Sequence, residues 1–270
     1  GGYFTLSILG LVEGLSEFIP VSSSGHLIIA RALMGATGPL ALGMDAVLQL
    51  GAALALCVYF FKDLLNLFYT FLYTLTGRPV KSEDKRLMWA VIVGTVPGVV
   101  LGLLLEKTMD TIFRNTHLVA YALIAGSILM FFSEYVSKRK TSLLPLESIT
   151  VWRGLWIGLF QALALVPGVS RSASTIAGGL YLGFTREAAA RFGFILAIPI
   201  LIGSGAKKFI ELSQAGVLAG LGGPLLWGSV LAFLSGLAVI HWLLKFLKTQ
   251  PMYIFIAYRV LIALAILVFF

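Results

Sequence analysis

Apolar positions along this chain come in long blocks separated by short polar connections, and no block alternates with the period of two of a half-buried strand. Six blocks are long enough to cross a hydrocarbon core as helices: Leu42 to Phe61, Leu87 to Leu105, Leu118 to Tyr135, Ala188 to Gly205, Leu225 to Leu247 and Met252 to Phe270. A helix rises about 1.5 Å per residue and that core is about 30 Å thick. The first block can run on past Lys62, since Leu64 to Leu75 is apolar and aromatic. Helix is the predicted state throughout, because open strands would leave backbone groups unpaired in lipid and the alternation of a barrel is missing.

Two further apolar runs are cut by a proline followed by small hydroxyl residues. Tyr3 to Ile19 ends in Pro20-Val21-Ser22-Ser23-Ser24-Gly25-His26, and Val151 to Val166 ends in Pro167-Gly168-Val169-Ser170-Arg171-Ser172-Ala173-Ser174-Thr175. Shorter apolar stretches follow, Leu27 to Met34 and Ile176 to Leu182, so each unit reads as half-helix, polar turn, half-helix. The two units also match: Gly10-Leu11-Val12-Glu13 lines up with Gly158-Leu159-Phe160-Gln161, and the proline follows the polar member by seven residues in one and six in the other, a one-residue slip. The predicted fold is an all-α integral membrane protein, one membrane domain with six transmembrane helices plus two re-entrant helix pairs in an inverted-topology repeat, residues 1–140 and 141–270 forming the halves.

Composition agrees with a membrane solvent: 59% of residues are hydrophobic, 12% are charged and the mean hydropathy is +0.97. The net charge of +8 lies in short connections and forms no basic helix or patch, which argues for a membrane surface and against nucleic acid. If both breaks return to the face they entered, one face receives Arg78, Lys81, Lys85, Arg86, Lys138, Arg139, Lys140, Arg153, Arg186, Arg191, Lys245 and Lys248, and the other only Arg31, Lys107, Arg114, Lys207 and Lys208. The first face is then cytoplasmic, both termini are outside and the breaks enter from opposite sides. Cys57 is the only cysteine, so neither a disulfide framework nor a cysteine metal site is available. Gly1-Gly2 opens the chain without Met, as in a trimmed chain, and no basic segment precedes the first apolar run, which is expected to belong to the mature fold.

The candidate chemistry sits in the breaks. Glu13 and Glu17 share one helical face, and ionised carboxylates in hydrocarbon cost about 2.5 kcal/mol or more each. A divalent cation, an arginine or a shared proton would offset that cost, unless both reach water at a helix end. Ser22, Ser23, Ser24 and Gly25 are cap and first-turn candidates at a helix N-terminus, a natural seat for phosphate, although such a cap also serves without chemistry. His26 has the pKa range of a nucleophile or proton carrier. Arg171 stands among Ser170, Ser172, Ser174 and Thr175; its guanidinium suits phosphate oxygens, or a salt bridge to Glu13 or Glu17, and the two are compatible. Gly94, Gly98 and Gly102 read as a packing face, and Pro97 and Pro199 as kinks. Gln49 either lines the polar interior or bonds a neighbouring helix, Asp45 shares its face, and Arg259 reaches an interface or a buried acid. His117 and His241 have no second ligand at metal-binding spacing.

At these residues the sequence resembles the undecaprenyl pyrophosphate phosphatases of bacteria, also called bacitracin resistance proteins. Glu13-Gly-Leu-Ser-Glu17 leading into Pro20 to His26 is similar to that family's first motif, and Pro167 to Thr175 to its second; Gln49-Leu50-Gly51 and Ala257-Tyr258-Arg259 extend the likeness over nearly the whole chain. The resemblance implies hydrolysis of undecaprenyl pyrophosphate to the monophosphate, which recycles the lipid carrier of cell-wall polymers and confers bacitracin resistance. It also implies the bacterial cytoplasmic membrane, a Mg2+ or Ca2+ requirement and a site open toward the outer face. Joined to the residues, it makes Glu13 and Glu17 metal ligands, or one of them a base. Ser23 becomes the nucleophile with His26 as its proton partner, or His26 the nucleophile itself. Arg171 holds the pyrophosphate, with Ser22, Ser24, Gly25, Gln49, Ser170, Ser172 and Thr175 around it. The expected partners are a prenyl pyrophosphate lipid and the bilayer, a homodimer being compatible. The competing class is a transporter or flippase of a prenyl phosphate lipid, since broken helices in inverted repeats are transporter features.

Overall fold

The computed structural model describes the backbone of residues 2–38, 40–112 and 115–269, and the side chains of all of these except 109–112. Arg114, counted above on the outer face, and Phe270, the end of the last predicted span, lie outside the described residues. Eleven α-helices form this part of the chain, with no strand among the described residues: α1 Gly2–Ser16, α2 Ser23–Met34, α3 Ala41–Tyr59, α4 Phe61–Leu75, α5 Ser82–Ile112, α6 Thr116–Lys138, α7 Val151–Leu163, α8 Arg171–Tyr181, α9 Arg186–Gln214, α10 Leu218–Leu247 and α11 Tyr253–Phe269. Several starts are written in the sequence. The side chains of Asn115, Thr150 and Thr185 accept from the backbone N–H three residues on, at 3.1 to 3.2 Å, and open α6, α7 and α9.

Five helices, α3, α5, α6, α9 and α10, are long and apolar enough to cross a membrane. The last expected span, α11, has 17 described residues, about 26 Å of helix, a little short of the hydrocarbon thickness. Large apolar side chains stand outward, Leu104 74% exposed and Val268 73%, as lipid-facing helices require. The first predicted span does not continue as one helix: α3 ends at Tyr59, and Phe60, with φ −98° and ψ 22°, separates it from α4. Phe60 is buried against Phe194, so the chain is anchored inward where its helical dihedrals are interrupted, and α4 leaves that anchor with a mostly exposed surface.

α9 runs through the middle, packed on α3 and α8, with Phe192, Leu196 and Leu201 buried. Around it α1 packs on α10, α5 on α7, and α6 on α11. Two of these contacts depend on glycine. A Cβ on Gly10 would stand 2.1 Å from the Gly228 carbonyl oxygen, and one on Gly158 would stand 2.0 Å from that of Gly94. The glycine face predicted at Gly94 is therefore a packing face. Asp45 pairs with Arg31, itself buried. Pro97, Pro199 and Pro224 lie within α5, α9 and α10.

Candidate active site where the two breaks meet

Each break is a helix stop, a tight turn and a capped restart. Ser22 and Ser170 are the N-caps of α2 and α8; their side chains accept from the N–H of Gly25 at 3.4 Å and of Ala173 at 3.3 Å. Both have positive φ, 74° and 77°, a conformation that costs a non-glycine residue about 1–3 kcal/mol and persists only where the surroundings impose it. They are the only two such non-glycine residues among those described. Counted from these caps, Glu13 and Gln161 stand at the same distance, nine residues upstream, so the one-residue slip in the sequence match belongs to the prolines and not to the polar pair.

The surroundings that impose the turns come mainly from the opposite break and from α11. Gly168 N–H donates to Ser24 Oγ at 3.2 Å, and Ser172 Oγ donates to the Ile19 carbonyl at 3.3 Å. Arg259, wholly buried, donates to the carbonyls of Pro20 at 3.3 Å, Gly168 at 3.0 Å and Val169 at 3.0 Å, and also to Leu123 O and Ser127 Oγ at 3.1 Å. The sequence left its partner open between an interface and a buried acid; it is neither, since every acceptor is a neutral oxygen.

Glu17, just past the end of α1, is where the breaks converge. Arg171, the first residue of α8, pairs with its Oε1, and Ser23 Oγ donates to its Oε2 at 2.6 Å. The carboxylate is nearly buried and the guanidinium 17% exposed. No hydrogen bond joins His26 to Ser23, three residues before it on α2. Its Nδ1 lies 2.7 Å from the Ser22 carbonyl, which can only accept, so Nδ1 carries the proton and Nε2 accepts from Tyr258 Oη at 2.7 Å. Glu13 is completely buried; no donor among the described residues reaches its carboxyl oxygens, and its near polar neighbour is the Glu17 carboxyl.

A cavity of about 520 Å3 opens beside this cluster. Glu17, Ser22, Ser23, Ser24, Gln49, Ser170 and Arg171 line it, all expected from the sequence. Gly25, His26, Ser172 and Thr175 are not in its wall; Thr175 Oγ1 donates to the Arg171 carbonyl at 3.1 Å and fixes the first turn of α8 from behind. Gly98, Gly102, Leu103, Leu165, Pro199 and Ile200 give apolar walls, and the cavity extends to Glu106, Lys207 and Lys208, where Lys207 pairs with Glu106 at 2.5 Å across α5 and α9. Sequence reading missed this extension and Gln161, also in the wall; acid and lysine at corresponding ends of two long spans were the available signal. Among the described residues no group of three or more His, Cys, Asp or Glu side chains is placed to hold a metal ion.

The fold and this centre define a helical membrane protein that gathers a carboxylate, a guanidinium and several hydroxyls from two broken helices around one cavity. The model of the bacitracin resistance protein BacA family matches residues 6–265. The chain is 42% identical over 259 residues to an undecaprenyl-diphosphatase of Micrococcus luteus, covering 94% of this chain and 92% of that one. It is 41% identical over 261 residues to one of Thermobifida fusca (96% and 87%) and 40% identical over 272 residues to one of Mycobacterium leprae (98% and 94%). The chain belongs to the bacitracin resistance protein BacA family.

Proposed function

We propose that this protein is an undecaprenyl-diphosphatase: it hydrolyses undecaprenyl pyrophosphate to undecaprenyl phosphate and inorganic phosphate, returning the lipid carrier to cell-wall synthesis and so conferring bacitracin resistance. Its relatives' shared name points there, and the observation that carries the reading is Glu17, which accepts from Ser23 Oγ and pairs with Arg171 in the wall of one cavity. A nucleophile and a phosphate-binding cation thus stand on one carboxylate, which is the nucleophile's proton acceptor.

In the proposed reaction the prenyl tail lies along the apolar wall and the pyrophosphate oxygens meet Arg171 and the first-turn N–H groups of α2 and α8. Ser23 Oγ attacks the terminal phosphorus and gives its proton to Glu17. The bond from that phosphorus to the bridging oxygen breaks, and undecaprenyl phosphate leaves with the proton from Glu17. Water then attacks the phosphoserine, passing a proton to Glu17. The P–Oγ bond breaks, Ser23 recovers the proton and inorganic phosphate departs. Glu17 is favoured over His26 as the proton acceptor because both ring nitrogens of His26 are engaged elsewhere. The same engagement favours Ser23 over His26 as nucleophile; His26 with Tyr258 then holds the Ser22 turn.

A divalent cation, Mg2+ or Ca2+, would be held by Glu13 and Glu17, of which Glu17 is the one that lines the cavity. Such an ion would neutralise phosphate charge. In the finer architecture we propose, α1–α2 and α7–α8 are re-entrant pairs of an inverted repeat, residues 1–140 and 141–270, with six spans in the bacterial cytoplasmic membrane. Support comes from the matching caps at Ser22 and Ser170, the matched offsets of Glu13 and Gln161, and the way Gly10 meets Gly228 while Gly158 meets Gly94.

Purified protein in detergent, with no gradient and no second compartment, is expected to release phosphate from undecaprenyl pyrophosphate and to lose that activity to a chelator. Absence of turnover there would favour a lipid transporter instead. Quenched turnover of substrate labelled in its terminal phosphate is expected to leave an acid-stable label on Ser23 that Ser23→Ala lacks, with activity down by about 10³-fold or more. An acid-labile label that persists in Ser23→Ala would move the nucleophile to His26.

A further inference from the structure

We infer that Gln161, a residue the proposed reaction does not use, is a pyrophosphate-binding residue, its side-chain amide donating to phosphate oxygens in the cavity. The inference rests on the diphosphatase reading and deepens it. Gln161 is in the last turn of α7, 3% exposed, and lines the same cavity as Ser23, Glu17 and Arg171. Neither its Nε2 nor its Oε1 has a hydrogen-bond partner among the described residues, and both atoms are closed to solvent, so the amide turns about its side-chain torsions to meet a ligand in the cavity. Burying an amide in that condition is unfavourable, and polar groups left so in a folded protein call for a functional account. α5 faces it with Gly98, which has no side chain to offer; an added Cβ there would stand 3.7 Å from Nε2.

The chemistry of the ligand follows from what the amide offers. Nε2 carries two N–H donors and no charge. Arg171 is already balanced by Glu17, so an entering pyrophosphate needs donors beyond one guanidinium, and a neutral donor supplies them without a further buried cation. The repeat sharpens the point. Gln161 corresponds to Glu13, nine residues before each cap, yet Glu13 is absent from the cavity wall and Gln161 is in it. An acid at the position facing the substrate would repel it; the amide does not.

The test uses the full-length protein in detergent, inorganic pyrophosphate as the probe, and the substitutions Gln161→Met and Gln161→Glu. Met keeps the shape and removes the unpartnered amide. Gln161→Met is expected to raise both KM and the inhibition constant of pyrophosphate by about tenfold or more, with a smaller change in kcat. Its unfolding midpoint without pyrophosphate should equal or exceed that of the parent. Gln161→Glu should bind pyrophosphate more weakly still. A structural role predicts the reverse for Met: a lower midpoint and less active protein at unchanged KM and inhibition constant, and that result overturns the assignment. An unchanged inhibition constant at the parent's midpoint overturns it as well. Should the parent release no phosphate, the diphosphatase reading falls separately, and the rise in midpoint with added pyrophosphate still decides for Gln161. A rise in the parent that Gln161→Met lacks upholds the site; an equal rise in both, or none in the parent, removes it.

Discussion

Replacing Arg171 by Ala is expected to lower kcat/KM for undecaprenyl pyrophosphate by about 10³-fold or more, in line with the loss of an arginine that stabilises charge during phosphoryl transfer. The geometry gives that arginine two tasks. It pairs with Glu17, the proposed acceptor of the Ser23 proton, and it presents its guanidinium to the cavity. Removing one partner of such a pair also destabilises the other, so the variant's fold must be measured beside its activity. Ser23 still donates to Glu17, which argues that the protein stays folded. Arg171→Lys is expected to recover part of the activity, since a point charge replaces a planar fork. Added guanidinium ion should partly rescue the alanine variant, as the cavity has room for it. Near-parent turnover in a folded Arg171→Ala protein would take Arg171 out of the reaction.

The reason Arg171 was readable from sequence is local. A charged residue within a Ser-rich break of an apolar run has few roles; of the two candidates the Glu partner is found, and the proposed phosphate ligand requires the place in the cavity wall that Arg171 has. Ser22 and Ser170 were readable as caps because a hydroxyl after a proline and before an apolar run is a helix start. Their positive φ was not, because the two turns are tied by contacts between distant parts of the chain, Gly168 to Ser24, Ser172 to Ile19, and Arg259 to Pro20, Gly168 and Val169. Long-range pairing also explains the less readable parts. His26 looked like the partner of Ser23 three residues away, yet it bonds Tyr258 in the last helix, while Ser23 turns back to Glu17. The break at Phe60 depends on a packing partner, Phe194, that the apolar pattern of Leu42 to Leu75 does not reveal. Gln161 drew notice only as the mate of Glu13, because an amide in an apolar run says nothing of which side faces a cavity.

Arg259→Met is expected to damage both stability and turnover, although Arg259 does not line the cavity. The guanidinium is the shared donor for carbonyls of both breaks, Pro20 on one side and Gly168 and Val169 on the other. Each buried carbonyl left without a donor costs about 1–3 kcal/mol, so the three break carbonyls together account for about 3 kcal/mol or more. Catalysis should fall by about 10²-fold in the protein that remains folded, because Ser23 and Arg171 sit on turns whose strained dihedrals that donor network holds, and small displacements of reacting groups are costly. α6 supplies an independent check. A Cβ at Gly126 would stand within 2.2 Å of the guanidinium, so Gly126→Ala should displace it and reproduce a milder form of both losses without touching the arginine. Added guanidinium ion, which rescues Arg171→Ala, should not rescue Arg259→Met, since a free ion in the cavity cannot join the two turns. A lowered unfolding midpoint with parent kcat in the folded fraction would make Arg259 a stabilising residue alone, and an unchanged midpoint would mean that other contacts hold the breaks together.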